Sequence, residues 1–390
     1  MEFTMSLSKT YNTRESGIEL LKIIAILLIV VFHVTMSMEA ANTELNELKS
    51  RLLDFRTATM DIEQFLLACL YNLGSIGNDI FFVCSFWFLC DSKTIKINKV
   101  FTIIMDAWLI SVFFFNGYYL LSGEYIGKDL AIESALPTLF GINWFITCYL
   151  LMYLIHPLLN TIIDSVDQRV HALSCIIAFI LYFIISFTFS FIKRDMLFAN
   201  YPILFITIYF IIAYIKKYMS KWSESVSANI KLLMVGIIGT LSLMIIIDLL
   251  GLKHICQFDD KLIYFCTNSN PFYLFTAIGM FNLFRKLKFH NSFINSISGL
   301  SIFIYLIHEN LYFRYFTRPR ICAYLLEKYG RNNALICDLI FSFVLFIAAI
   351  VISAIYKNTV HKLVIVLEKH VEKFVKKITD KMLREVMRLS

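Results

Sequence analysis

Charge is what this sequence has least of, compared with a soluble protein of its length. Asp, Glu, Lys and Arg make up 17% of the 390 residues, against roughly 25% in soluble domains. Proline and glycine are also scarce, with 5 and 13 residues, which excludes collagen-like and Gly/Pro-rich disordered chains. The nine cysteines are sparse and form no C-x-x-C or Cys/His pattern, so neither a disulfide scaffold nor a metal site is predicted.

Long, nearly uncharged apolar runs make up most of the sequence. Hydrophobic residues make up 58% of the sequence, and Phe alone occurs 37 times. A soluble core could not bury this much apolar surface, whereas a membrane-spanning helix needs about 20 mostly apolar residues. We predict an all-α, multispan integral membrane protein with about ten transmembrane helices. The candidate spans are 17–38, 66–90, 100–121, 138–163, 170–192, 200–219, 231–250, 271–284, 296–316 and 334–356.

The basic residues predict the orientation of the chain. The net charge is +7, but Lys and Arg cluster between apolar runs, which favours a topological role and no nucleic-acid partner. With the N-terminus inside, most of the 36 Lys and Arg residues are cytoplasmic and the acidic segment 39–65 is outside, so both termini are predicted to be cytoplasmic. One predicted outer loop, 314–331, opposes this pattern and indicates either a tolerated departure or a site for an anionic partner. It holds Arg314, Arg318, Arg320, Lys328 and Arg331.

The runs divide the chain into a cytoplasmic segment 1–16, a membrane domain 17–357 and a basic cytoplasmic tail 358–390. In the tail, apolar residues recur at helical spacing with lysines between them. This pattern is typical of an amphipathic helix on the anionic inner leaflet, and a soluble trailing helix is the alternative. The apolar positions are Leu367, Val371, Phe374, Ile378 and Met382.

The first predicted span contains charged residues on one helix face. Lys22 and His33 are 11 residues apart, which places them on the same side of a helix, about 16 Å apart along its axis. Glu19 lies one turn before Lys22 and is expected to pair with it. A neutral imidazole can act as a general base, so His33 is a candidate catalytic residue. The alternatives are interfacial anchoring of His33 and snorkelling of Lys22 to the inner surface.

The ninth predicted span holds a second polar cluster. His308, Glu309 and Asn310 are consecutive, and Arg314 follows. Such a run cannot face lipid at low cost, so it must line a cavity or pair with other helices. A substrate-binding role and a purely structural one are both consistent with the sequence.

Three further residues are weaker candidates for substrate binding. Trp144 and Tyr149 stand at the start of the fourth predicted span, where an aromatic belt at the membrane interface is the alternative. Ser85 lies in the second span without a G-x-S-x-G motif around it. A buried serine that bonds its own helix backbone is the commoner situation.

At these positions the sequence resembles the membrane-bound acyltransferase-3 superfamily, in particular its bacterial polysaccharide O-acetyltransferase-like branch. Four motifs carry the resemblance, in the order of that family, and together they extend over about residues 14–357. They are Glu19-Leu20-Leu21-Lys22 with His33 eleven positions after the lysine, Phe81 to Leu89, Trp144 to Asn160, and Tyr305 to Asn310. Two positions depart from the pattern: Lys22 replaces the usual arginine, and Phe86 replaces a glycine after Ser85.

The resemblance implies an integral membrane O-acyltransferase of a bacterial cell membrane. An acyl-CoA, usually acetyl-CoA, would be the cytoplasmic co-substrate, with no bound cofactor. The acceptor would be a hydroxyl of an envelope glycan, free or lipid-linked, and polysaccharide-assembly proteins are expected partners beside membrane lipid. His33 would be the essential histidine, and Lys22 would take the place of the essential arginine. From the positions of the charges along the first span, we expect Lys22, together with Arg14, to bind the donor phosphates.

Two other functions remain open on the sequence. A glycan exporter or flippase would use His308, Glu309 and Arg314 as cavity residues without catalysis. A glycan polymerase usually has a large, Arg-rich outer loop, whereas the longest predicted outer loop here is short and acidic.

Overall fold

A computed structural model describes residues 15–39, 53, 57–123, 127–190, 201–255, 267–371 and 373. Arg14 and the tail beyond residue 373 lie outside the described residues, as does most of the acidic segment 39–65. Within the described part the chain is helical and contains no strand. The helices are α1 (Ser16–Glu39), α2 (Ile62–Leu89), α3 (Ile97–Ser122), α4 (Lys128–Ala135), α5 (Trp144–Ser165), α6 (Gln168–Phe179), α7 (Phe187–Ser190), α8 (Tyr201–Tyr218), α9 (Ser220–Ser223), α10 (Val226–Leu252), α11 (Pro271–Phe284), α12 (Ser292–Ser298), α13 (Ser301–His308), α14 (Arg318–Tyr329) and α15 (Ala334–Asn358).

The prediction of an all-α multispan membrane protein is confirmed. Eight helical stretches among the described residues are long and apolar enough to cross a membrane. They are α1, α2, α3, α5, α8, α10, the stretch Gln168–Phe189 and the stretch Arg331–Asn358. Each corresponds to one predicted span. The eighth predicted span is α11, which has only 14 residues.

The ninth predicted span, 296–316, is not one helix. α12 ends at Ser298, α13 covers only the eight residues up to His308, and a π-helical turn follows from Phe313 to Thr317. Between α13 and this turn, the side-chain oxygen of Asn310 accepts a hydrogen bond from the amide of Tyr312 at 3.1 Å. Such a local side-chain bond competes with the helix ladder, so apolar content alone overestimated the helix length here.

α1 is the central helix of the bundle. It packs against α2, α11, α12, α13, α14 and α15. Its antiparallel contact with α2 is close because α2 has glycines there: a Cβ on Gly77 would lie 2.7 Å from the carbonyl oxygen of Ala25, and one on Gly74 would overlap the ring of Phe32. The imidazole of His33 therefore lies close to the level of Gly74 on α2.

The two halves of α1 belong to different apolar clusters. Its N-terminal half, through Ile18, Leu21 and Ala25, packs with α2, α5, α8 and α11. Its C-terminal half, from Ile26 to Met38, packs with α3, α13, α14 and α15. The two candidate sites predicted on α1 consequently lie in different surroundings.

Candidate active site

A pair of histidines lies at the C-terminal half of α1. The Nδ1 atom of His33 is 3.0 Å from the Nε2 atom of His308, and both side chains are buried. The Nδ1 atom of His308 lies 2.6 Å from the carbonyl oxygen of Ile304. A carbonyl only accepts, so Nδ1 of neutral His308 carries the hydrogen and its Nε2 presents a lone pair. His33 Nδ1 therefore donates to His308, and the lone pair of neutral His33 is on its Nε2.

Glu309 is the second partner of His33. Its Oε1 atom lies 3.3 Å from the Nδ1 atom of His33. The residue directly follows α13 and is buried. A carboxylate beside Nδ1 stabilises the imidazolium that forms when Nε2 takes up a proton. His33 thus has the surroundings of a general base, with its free nitrogen directed away from both partners.

Arg318 fixes the position of this carboxylate. Its guanidinium is fully buried, and its Nη1 atom lies 2.7 Å from Glu309 Oε1. Nη1 also donates to the carbonyl of His308 at 3.1 Å, and Nε donates to the hydroxyl of Ser37 at 2.7 Å. Ser37 in turn donates to the carbonyl of His33. One guanidinium therefore connects the end of α13 with the turn of α1 that carries His33.

Arg314 is a second, more accessible cation. Its Nη1 atom is 3.7 Å from Glu309 Oε2, and 30% of its side chain is exposed. With both histidines neutral, the cluster of His33, His308, Glu309, Arg314 and Arg318 carries two positive charges and one negative charge. Its net charge favours an anion or a developing oxyanion.

The predicted outer loop 314–331 is therefore mostly helical, and two of its basic residues pair with Glu309. The anionic partner that its excess of positive charge suggested is, for these two, a carboxylate of the same chain. Arg318 had no separate signal in the sequence beyond its membership of that basic group, and sequence reasoning did not single it out.

His33, His308 and Glu309 are also the described residues whose geometry could hold a metal ion, since their ligand atoms all lie within 4.8 Å of one another. Coordination would require a lone pair on His33 Nδ1, which means moving its hydrogen to Nε2. Two guanidinium groups beside Glu309 oppose an added cation. The arrangement described here fits a hydrogen-bonded base better than a metal centre.

The N-terminal half of α1 holds the expected ion pair. Lys22 Nζ is 3.2 Å from Glu19 Oε1, and the lysine side chain is 21% exposed. The other carboxylate oxygen of Glu19 accepts a hydrogen bond from Ser298 at 2.5 Å. Glu19 therefore joins α1 to α12 while it holds the ammonium of Lys22.

The remaining predicted residues are spread along the bundle. Trp144 stacks on Tyr201 with 4.1 Å between ring centroids. Its neighbour Phe145 packs against Tyr305 of α13 at 5.6 Å, so the first turn of α5 lies near the histidine pair. The hydroxyl of Tyr149 instead accepts from Lys99 at 3.0 Å.

Ser85 is not part of the histidine cluster. It lies on α2, 11 residues beyond Gly74, and hence about 16 Å along the axis from the level of His33. Asn310 is buried and forms the turn after α13. The segment after this turn carries Arg314 and Arg318, which pair with Glu309.

A polar cavity of about 470 Å³ opens where α2, α5 and α8 end. Lys216 Nζ is 2.5 Å from Asp91 Oδ2, and Lys217 Nζ is 3.0 Å from Asp164 Oδ1. Its polar lining is completed by Cys90, Lys93 and Asn160. Sequence reasoning counted these lysines for orientation only, because the cavity is assembled from distant segments.

Beside this cavity, the ring of Trp87 lies close to two cations. Lys216 Nζ is 5.1 Å and Arg285 Cζ is 4.6 Å from the centroid of its ring. Basic and aromatic groups at one cavity are suited to a ligand with phosphates and a ring system.

The sequence model of the acyltransferase-3 family, described as an acyltransferase domain, matches residues 15–357. This range contains α1 to α14 and nearly all of α15, with the histidine pair, both arginines and the lysine cavity. No curated protein and no solved structure matches the chain. The chain belongs to the acyltransferase-3 family and is a multispan membrane acyltransferase.

Proposed function

We propose that the protein transfers an acetyl group from acetyl-CoA, bound from the cytoplasm, to a hydroxyl group of a cell-envelope glycan. The observation that carries this proposal is the orientation of His33. Its Nδ1 atom faces His308 Nε2 at 3.0 Å and Glu309 Oε1 at 3.3 Å, which leaves Nε2 as a base for an acceptor hydroxyl.

In the proposed reaction, the acceptor oxygen attacks the thioester carbonyl while its proton moves to His33 Nε2. Glu309 stabilises the resulting imidazolium from the Nδ1 side. Arg314, the more exposed guanidinium, is proposed to stabilise the oxyanion. As the new C–O ester bond forms, the C–S bond breaks, and the imidazolium returns its proton to the CoA sulfur.

The donor in this proposal lies along the N-terminal half of α1. Lys22 is about 16 Å from His33 along the helix axis. Cys90, at the lysine cavity, follows Gly74 by 16 residues, so the cavity is about 24 Å from the level of His33. An extended CoA suits this spacing, with its nucleotide at Trp87 and the lysines, its arm passing Lys22, and its thioester at His33.

With the N-terminus in the cytoplasm, this places the donor phosphates inside and the acceptor glycan, free or lipid-linked, outside. Arg14 remains a proposed further phosphate ligand. Trp144 is proposed to contact the sugar, since the first turn of α5 lies against α13. The proposed location is a bacterial cell membrane, with polysaccharide-assembly proteins as partners.

Mass spectrometry of cell-surface glycan tests this function. Strains would carry the wild-type gene, no gene, His33→Ala, or His290→Ala as an exposed histidine control. We expect the gene deletion and His33→Ala to remove acetyl groups and leave the polymer, and His290→Ala to retain them. Undiminished acetylation in His33→Ala would contradict the proposal, and loss of the whole polymer would favour export.

A further inference from the structure

The helix that follows α15 has three chemically different sides. It covers residues 360–371, residue 373 is helical as well, and these residues together are called the tail helix here. On a projection of 100° per residue, His361, Val364 and Glu368 fall within about 60° of one another. Lys362, Lys369 and Lys373 fall within about 40° on another side, and Val360, Leu363, Val366 and Leu367 occupy about 120° between them.

The first side is fixed to the membrane domain. His361 Nδ1 lies 2.9 Å from Asp106 Oδ2, and Glu368 Oε2 accepts from the hydroxyl of Thr102 at 2.9 Å. Val364 between them is fully buried. Asp106 and Thr102 both belong to α3, so one face of the tail helix is docked on that helix.

The second side is apolar, and its side chains are largely uncovered by the part of the chain that the structure describes. The exposed fractions are 66% for Leu363, 53% for Val366 and 49% for Leu367. Two of these residues lie one turn apart and the third lies between them, so they form a continuous stripe. The tail helix starts directly after the membrane-spanning helix α15, so this stripe lies close to the hydrocarbon boundary.

The third side carries Lys362, Lys369 and Lys373, all exposed. A helix with an apolar stripe beside a basic stripe lies in the headgroup layer of an anionic membrane. Each lysine near an anionic membrane surface raises the membrane-binding constant about fivefold.

We propose that the tail helix binds the anionic lipid leaflet with its apolar and basic sides, and that this lipid layer holds its first side, with His361 and Glu368, against α3. The contact between the tail helix and α3 also involves α13, the helix that ends at His308. The ring of Phe303, in α13, packs against His361 at 5.1 Å and against Tyr356 at 5.3 Å. Tyr356 also donates to Asp106 at 2.8 Å, and His308 ends the same helix α13. Anionic lipid thereby stabilises the end of the bundle on which α13 rests.

Hydrogen exchange of the full-length protein in lipid nanodiscs tests this proposal without depending on its activity. The discs would contain phosphatidylcholine alone, or equal parts of phosphatidylcholine and phosphatidylglycerol. We expect the amides of the tail helix to exchange more slowly in the anionic discs, by up to the order of 100-fold for three lysines.

Two variants separate the two kinds of contact. The triple variant Lys362→Gln, Lys369→Gln, Lys373→Gln is expected to exchange at the same rate in both discs. Asp106→Asn is expected to speed exchange in both discs and to keep the difference between them. The matched control is the triple variant Lys128→Gln, Lys253→Gln, Lys328→Gln, which removes the same charge from exposed positions elsewhere and should respond to lipid like the wild type.

Equal exchange of the wild-type tail helix in the two discs would overturn the proposal. So would a full lipid response in the triple variant of the tail. Protection that appears only when a membrane protein extract is added, and in both lipids alike, would assign the apolar side to a protein partner and would also overturn it.

Discussion

At the C-terminal end of α1 the ion pair of Glu309 and Arg318 is almost completely buried, whereas near its N-terminal end charged side chains line an open cavity. Glu309 is 6% and Arg318 is 0% exposed. In the cavity, Asp91 is 73% and Asp164 is 58% exposed, although each pairs with a lysine. Buried, directional bonds set the geometry and proton position of one group, while exposed ion pairs exchange partners readily and contribute little to stability.

The difference indicates a division of labour within one bundle. The buried network suits a chemical step, because its partners cannot rearrange without leaving a charge unpaired. The cavity suits reversible binding, since its lysines can leave Asp91 and Asp164 for the phosphates of a ligand.

The largest expected effect is on catalysis at the buried network. Glu309→Gln keeps the side-chain volume but removes the charge that stabilises the His33 imidazolium, so kcat is expected to fall by about 10²–10⁴-fold. The double variant with His33→Gln should be no worse than the slower single variant, because the two residues act together. Initial rates of acetyl transfer in nanodiscs measure both. Glu327→Gln, an exposed neighbour on α14, is the control, and additive losses would contradict the proposed pairing.

The next effect is on stability and separates the two arginines. Arg318→Met leaves the buried carboxylate of Glu309 without its nearest cation and is expected to lower the free energy of unfolding by about 3–5 kcal/mol. Arg314→Met removes a cation that is 3.7 Å away and 30% exposed, so about 1 kcal/mol or less is expected. The free energies of unfolding of the two variants, measured in detergent, give the comparison. Equal losses would contradict the assignment of Arg318 as the fixed partner.

At the cavity, Lys216→Gln and Lys217→Gln are expected to raise the KM for acetyl-CoA by about tenfold in combination, with kcat nearly unchanged. Added salt should weaken the wild-type interaction and reduce this difference. Steady-state kinetics at low and high salt provide the measurement. Lys231→Gln, an exposed lysine at the start of α10, should not change KM. A fall in kcat without a change in KM would contradict donor binding at the cavity and would indicate a catalytic role for its lysines.

The smallest effect concerns Glu224, between α9 and α10. Partial burial raises the pKa of its carboxyl, but the hydrogen bond from Arg285 at 2.7 Å and the charge of Lys286 outweigh it and hold that pKa below its ordinary value. A lowered pKa in the folded state means a stabilisation present at neutral pH and lost as the pH falls through that pKa.

Glu224→Gln is therefore expected to lower the free energy of unfolding by less than about 1 kcal/mol at neutral pH. The difference should disappear in acid. The free energy of unfolding of the wild type and of Glu224→Gln, measured in detergent at neutral pH and in acid, gives this difference. A difference that grows on acidification would contradict the lowered pKa of Glu224.

The fold and one half of the site could be predicted from the sequence, because each depends on spacing along a single helix. Eight of the ten spans predicted from apolar length correspond to long apolar helices among the described residues. The helical period placed Glu19 beside Lys22, where the structure has them 3.2 Å apart. The same period predicted that His33 shares a face with Lys22. These inferences need only local geometry.

The rest depends on contacts between helices. Arg318 is 281 residues from Ser37 and contacts it at 2.7 Å, and no local pattern predicts such a pair. The cavity combines residues of α2, α5 and α8 in the same way. The ninth span was predicted too long because the side chain of Asn310 bonds the Tyr312 amide, which hydropathy does not register.

The burial of Arg318 also constrains how the protein is made. A guanidinium that is buried in protein is costly unless its partners are in place, and the partners of Arg318, which are Ser37, His308 and Glu309, lie on α1 and at the end of α13. α14 can therefore reach its final position only after α1 and α13 have packed against each other. The packing of α14 that completes the network around His33 is then also a late step of biogenesis. A chain that fails to bury Arg318 would have both an incomplete site and an exposed, unpacked α14 that the quality control of the cell can recognise.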